Sequence, residues 1–159
     1  MQLDRYVRSD GGVAFQDGAD HGRILVFGRD TAHRYSLMEY VVAARPVPEP
    51  GEPAYGPHRH RDIEEAFLVR SGRLRFLLDE QIIELGPGDF VRVPPGVRHG
   101  FANLSGEPVD LLVSFHPGGF EELFVRHRTD QDPPPSPLAF VEEAVRRFSS
   151  AFEDHPGVR

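Results

Sequence analysis

The chain has 159 residues with 16 Gly, 15 Pro and no Cys, and sets 25 Asp plus Glu against 18 basic residues, every one of them Arg, for a formal charge of −7. That acidic balance argues against a nucleic-acid footprint, the missing Cys rules out a disulfide framework or thiolate ligands, and no apolar run is long enough to span a bilayer. The length suits one domain with a sizeable core, and short β-rich runs between Gly and Pro favour an antiparallel β fold.

Residues 1–12 are polar and charged, so no signal peptide is expected, and together with the absent Cys this points to the cytoplasm. Asp-Gly and Gly-Gly turn signals break up residues 1–22, which read as an N-terminal strand or arm. Residues 23–28 and 35–44 read as strands, the second with period-two alternation. Residues 46–57 hold five Pro and two Gly and must be a loop. This loop leads straight into His58 and forms part of the rim of any site there. Residues 63–69 and 73–78 read as a hairpin around Ser71-Gly72, and Asp79-Glu80 turns into a strand at 81–85. Strands at 90–93, 100–103 and 109–115 bring the count to eight, which suits an all-β double-sheet jelly roll or small barrel. Pro117-Gly118-Gly119 then breaks the strand, and residues 120–126 read as a short helix. Residues 130–137 form a Pro-rich linker. A last helix follows, with Leu138, Val141, Ala144, Val145, Phe148 and Phe152 on one face. The expected organisation is a barrel domain over 1–128 with an N-terminal arm, then a linker and amphipathic helix over 129–159 that pack on the barrel or on a partner subunit.

Two stretches have metal-ligand spacing: His58-x-His60-x4-Glu65-x6-Gly72, and Gly88-x5-Pro94-x-Gly96-x2-His99-x3-Asn103. At ordinary residue usage, the second alone would match a given start point less than about once in a million. Asn103 is also the chain's single asparagine. The stretches supply three imidazoles and a carboxylate, a mixed N/O set suited to Fe, Mn, Ni, Cu or Zn. A single His on a strand is more often hydrogen-bonded or on the surface than a ligand, and Pro94-Pro95-Gly96 alone is an ordinary turn. The conjunction of two motifs is what points to a site. Alternate residues of a strand share a face, so His58 and His60 can share one ion. Glu65 lies an odd number of positions beyond His60 and would face away on a straight strand, so a bend is expected at Arg61-Asp62. Glu64 is the rival ligand, but it breaks the spacing to Gly72.

The two motifs resemble the signature motifs of the cupin superfamily, over residues 58–103. Carried over position by position, the resemblance implies that His58, His60, Glu65 and His99 hold one divalent transition metal per chain, with Gly72, Gly88, Pro94 and Gly96 at turns. It also implies a cupin double-stranded β-helix or jelly-roll barrel followed by one or two C-terminal helices. One position departs: cupins often place Gly six residues before the first His, where this chain has Glu52 between Gly51 and Gly56. The run from His116 through Pro117, Gly118, Gly119 and Phe120 to Phe124 resembles the tail of small bacterial cupins described as quercetin-dioxygenase-like. Cupins commonly dimerise by pairing sheets. That adds to a physical reason to expect a homodimer, since edge strands need cover and the N-terminal arm and C-terminal helix could provide it.

Four protein ligands leave an ion about two open positions. Through them it could polarise a substrate oxygen, lower the pKa of a bound water, or bind dioxygen if redox-active. If Glu65 and His99 point inward, alternation puts Phe67, Val69 and Phe101 on the same face, an apolar, aromatic-lined pocket. Met38 and Tyr40 are further candidates, and Val69 reads better as plain core. Glu65 is the candidate catalytic residue, a carboxylate that tunes the ion and accepts a substrate proton. His116 reads first as a rim residue before a turn and second as a general acid or base. The expected function is a dioxygenase-type oxidoreductase acting on a small, partly apolar molecule of aromatic or polyketide-like character. The alternatives are a cyclase or isomerase using the ion as a Lewis acid, and a non-catalytic small-molecule-binding protein. No nucleic-acid or membrane partner is expected.

Overall fold

Alternation of apolar and polar residues gives a strand one face to bury, and two sheets bury those faces against each other. The computed structural model describes residues 6–45 and 56–126. Its strands are β1 (Val13–Asp17), β2 (Asp20–Val26), β3 (Ser36–Val42), β4 (Glu64–Ser71), β5 (Leu74–Leu78), β6 (Gln81–Leu85), β7 (Phe90–Val93), β8 (His99–Ala102) and β9 (Val109–His116), followed by the short helix α1 (Glu122–Arg126). A six-stranded sheet in the order β1-β2-β3-β9-β4-β7 and a three-stranded sheet in the order β6-β5-β8 share one hydrophobic core. The all-β double-sheet expectation is met. No helix of the described residues is long and apolar enough to cross a membrane. The loop expected at 46–57, apart from its last two residues, and the linker and helix expected from residue 129 on lie outside the described residues.

The N-terminal stretch, read as a strand or arm, contains strand β1, which residues 18–19 turn back onto β2 with Asp17 opposite Asp20. One local reading changes. The hairpin expected around Ser71-Gly72 does not form. Both edges of β4 are taken, by β9 on one side and β7 on the other, so β5 crosses to the second sheet and pairs with β6 and β8. Gly72 makes that crossing at φ 81°, and a Cβ there would lie 2.8 Å from the Pro108 carbonyl oxygen. Only glycine meets both demands cheaply.

Register stacks the inward residues of the large sheet in rows. Ser36, Phe115, Glu65 and Val93 form one row, Met38, Val113, Phe67 and Val91 the next, and Tyr40, Leu111 and Val69 a third. All are buried, and each large apolar side chain among them contributes about 1.5–3 kcal/mol through burial. Glu65 is the one charged group in these rows. On the outer face, Glu39 pairs with both Arg23 and Arg70, and Arg70 reaches Asp110 at 2.7 Å.

Candidate metal centre

The two motifs meet through their backbones. His58 N donates to His99 O and His99 N to His58 O, both at 2.9 Å, as an antiparallel bridge, and Gly96 N donates to His60 O at 2.7 Å. Residues paired across such a bridge present their side chains on one face. The His58 and His99 ring centroids lie 4.4 Å apart, with His60 4.9 Å from His58 and 5.2 Å from His99. The chain bends at Arg61 and Asp62 as expected, and Glu65 enters β4 facing inward. One donor atom each from His58, His60, Glu65 and His99 falls within 4.8 Å of the other three. His60, Glu65 and His99 are buried and His58 is half-buried. Glu64 points outward and pairs with Arg92.

His58 Nδ1 lies 2.8 Å from Gly56 O and His99 Nδ1 2.9 Å from Val97 O. A carbonyl only accepts, so both Nδ1 atoms carry the proton, and in the neutral rings Nε2 keeps its lone pair. His99 Nε2 then faces Glu65 Oε2 at 2.9 Å, and His60 Nε2 faces the same oxygen at 3.1 Å. A lone pair on His99 cannot sit that close to a carboxylate oxygen without positive charge to hold the two together, either a proton or a metal ion.

With protons alone, burial opposes charge on both partners and their mutual contact prevails. Hydrogen bonds and charge from His60 and His99 hold the Glu65 carboxyl well below the usual carboxylate range. The hydrogen bond that His99 donates to Glu65 raises His99 in turn, against the burial that lowers it. His58 moves the other way, pushed down to about 3 by desolvation first and by His99 and His60 next. It is therefore neutral at pH 7, the form that ligates. Three imidazoles, two with tautomers fixed by backbone carbonyls, and one buried carboxylate fit a divalent transition ion.

Phe67 stands in the row beside Glu65, its ring centroid 6.5 Å from His99 and 5.9 Å from Phe101. Met38 shares the Phe67 row. Tyr40 lies one row further, its ring 6.2 Å from Phe101 and its hydroxyl 2.8 Å from Asp17 Oδ2 and 3.2 Å from Asp20 Oδ2. The cluster therefore meets Phe67 directly and Phe101 through Phe67, whereas the Tyr40 hydroxyl is held by the two aspartates. Sequence reasoning missed Phe76, stacked at 9° and 6.5 Å on His99, and Phe120, edge-on to His60 at 5.0 Å. The one-turn spacing of Phe120 and Phe124 was the available signal. His116 is exposed at the end of β9, 6.1 Å from the Tyr35 ring, as the rim reading has it. Asn103, which closes the second motif, is structural: its amide donates to Val42 O and Glu107 O, and its Oδ1 accepts from Ser105. An open depression of about 750 Å³ between Arg59, Arg98 and Asp79 is distinct from the cluster, since strand alternation turns Arg59 and Arg98 away from the neighbouring His58 and His99.

Residues 47–115 match the family described as cupin domain. Over 97 residues, covering 61% of this chain and 28% of the relative, the sequence is 30% identical to quercetin 2,3-dioxygenase of Bacillus subtilis. The chain spans less than half the length of the curated relatives it matches. A structure titled as a predicted oxalate decarboxylase from Thermotoga maritima aligns with a TM-score of 0.59 at 14% identity, over 70% of this chain and 97% of that one. An RmlC-like cupin from Shewanella frigidimarina aligns at 0.56 and 18% identity, over 72% and 92%. At such identities the likeness is one of fold. Because the matched residues run through both ligand motifs and the fold is the one these proteins share, the chain belongs to the cupin superfamily.

Proposed function

We propose that this chain is a metal-dependent dioxygenase-type oxidoreductase acting on a small, partly apolar molecule of aromatic or polyketide-like character, with one divalent transition ion on His58, His60, Glu65 and His99. The observation that carries this reading is the convergence of three imidazoles and one buried carboxylate against a shell of Phe rings. The partial likeness to a quercetin 2,3-dioxygenase supports the choice of reaction class. Once bound, the ion would supply a Lewis acid for a substrate oxygen and, where redox-active, electron exchange with substrate or dioxygen.

The chain's own groups do the rest. Phe67, Phe76 and Phe101 give a flat substrate apolar faces and exclude water, with Met38 and Tyr40 completing the apolar lining. Glu65 is the catalytic residue in this reading. It is the one anion of the cluster, it offsets one positive charge of the ion, and its carboxylate is the nearest acceptor for a hydroxyl proton arriving there.

The same N/O donor set serves zinc as well as iron, which supports a second reading as a cyclase or isomerase. Non-catalytic binding of the same small molecules is the third. The test is oxygen consumption and product formation with catechol and quercetin, using protein loaded with Fe, Mn, Ni, Cu or Zn. Turnover that requires dioxygen and stops with Zn is expected. Turnover that persists with Zn and without dioxygen would refute the dioxygenase reading and favour the second.

A further inference from the structure

The three imidazoles of the cluster are not held alike. The rings of His58 and His99 are each tied through Nδ1 to a carbonyl two residues back in the chain, Gly56 O and Val97 O. The carbonyl two residues back from His60 is His58 O, and it already accepts from His99 N at 2.9 Å in the backbone bridge. Rotation about the bond that carries an imidazole ring is soft, so the plane of the His60 ring depends on its neighbours. Glu65 Oε2, 3.1 Å from His60 Nε2, fixes one atom of the ring but not the plane. Phe120 stands against the ring itself, edge-on with 5.0 Å between centroids and 70° between planes. Phe120 also packs on Phe115 at 5.0 Å, and Phe115 is the partner of Glu65 across β4 and β9. One phenyl ring thus backs His60 and the residue beside Glu65.

The position of Phe120 is set by the residues on either side of it. Glu121 is fully buried, with Oε1 accepting from Gly28 N at 2.6 Å and Oε2 from Gly119 N at 2.7 Å. Hydrogen bonds to an ionised carboxylate are short and strong, and the bond to Gly28 ties the segment after β9 to the turn before β3. Gly118 N donates to His33 O of the same turn at 3.0 Å. A Cβ on Gly28 would come within 2.4 Å of the Gly118 carbonyl carbon, so the two backbones touch. Phe120 is therefore fastened before and after in the chain, and its ring has little freedom to leave His60.

We propose that Phe120 and Glu121 are positioning residues for the metal centre: Glu121 anchors the segment, and Phe120 holds the His60 ring in the plane in which it can share one ion with His58, Glu65 and His99. The proposal rests on the metal assignment above and not on the choice of reaction. Groups that orient a metal-binding imidazole are worth roughly 10–100-fold in metal affinity. A residue that serves the core alone lowers stability and leaves the affinity of the folded protein unchanged.

The zinc dissociation constant of the full chain, measured by competition with a chromophoric chelator at a temperature where every variant is folded by circular dichroism, separates the two roles. Phe120→Ala should weaken zinc binding by about tenfold or more, with Phe120→Leu and Glu121→Gln moving it the same way by less. Leu111→Ala is the control, because Leu111 is buried in the third row of the large sheet, away from the four candidate ligands. It should lower the urea midpoint while leaving zinc binding unchanged. In the copper-loaded protein, electron paramagnetic resonance of Phe120→Ala should show a second species with fewer coupled imidazole nitrogens, whereas wild type and Leu111→Ala should each give a single species. Should Phe120→Ala fail to fold, Phe120→Leu and Glu121→Gln carry the same comparison. Zinc binding as tight as wild type in the folded Phe120 and Glu121 variants, or an equal loss in Leu111→Ala, overturns the positioning role alone. A wild-type chain that binds neither zinc nor copper overturns the metal assignment and this proposal together.

Discussion

Protonation of His58 should make the metal-free protein lose stability as pH falls below 6.5. The folded value is pushed down to about 3 from an ordinary 6.5, so between those values the unfolded chain binds a proton that the folded one refuses. Each pH unit in that window costs about 1.4 kcal/mol, or about 2.7 kcal/mol from pH 6.5 to 4.5. Because His58 is half-buried and solvent relaxes around it, we take about 1–2 kcal/mol as the expected loss. The other shifted groups leave this window clear. His99 is raised, so its contribution grows as pH falls through its folded value and is complete by pH 6.5. Glu65, Glu39 and Glu64 are lowered from 4.5, so their contributions are present above 4.5 and are lost only below it. Urea unfolding of the metal-free protein, followed by far-UV circular dichroism, should therefore show maximal stability near pH 6.5 and a fall by pH 4.5. In His58→Ala that fall should vanish. A flat profile in the wild type, or an unchanged slope in His58→Ala, would refute the reasoning.

Metal analysis of the reconstituted protein should give about one transition ion per chain, and His58→Ala combined with His60→Ala should remove it; a chelator should lower Tm by a few degrees without unfolding the chain, because the core does not depend on the ion. Glu121→Gln puts an amide NH2 against one of two backbone donors and should cost about 1–3 kcal/mol in denaturant unfolding; an unchanged midpoint would mean that the carboxylate is not needed there. Phe67→Ala should cost about 3–5 kcal/mol by the same measurement, since the site is closely packed on both sides. Light scattering at micromolar concentration should give about twice the 17.9 kDa chain mass, and a monomer mass would reject the homodimer.

The candidate ligands were legible because spacing and strand parity are local properties. His58 and His60 share a face by alternation, and the odd step to Glu65 required the bend found at Arg61 and Asp62. Strand positions were legible for the same reason. Pairing partners were not: β5 follows β4 closely enough to suggest a hairpin, and only the occupancy of both β4 edges, by strands distant in sequence, decides otherwise. The ring contacts beyond Phe67 and Phe101 were equally hidden. Phe76 and Phe120 reach the histidines across the fold, and nothing near Glu121 in sequence shows that its carboxylate ends beneath two backbone amides rather than in water. Tyr40 was a pocket candidate from the sequence, but its hydroxyl partners Asp17 and Asp20 reach it only because β1 and β2 fold back on each other, and no local signal in residues 1–22 gives that pairing.

The bridge between residues 58 and 99 is made wholly of peptide groups, which any side chain at those positions except proline's would leave in place. A descendant of this chain could exchange an imidazole for a carboxylate at either position and still deliver the new donor to the same point. The preference for one ion over another can then drift with metal supply, one substitution at a time, while the two segments stay joined and the barrel goes on folding as before.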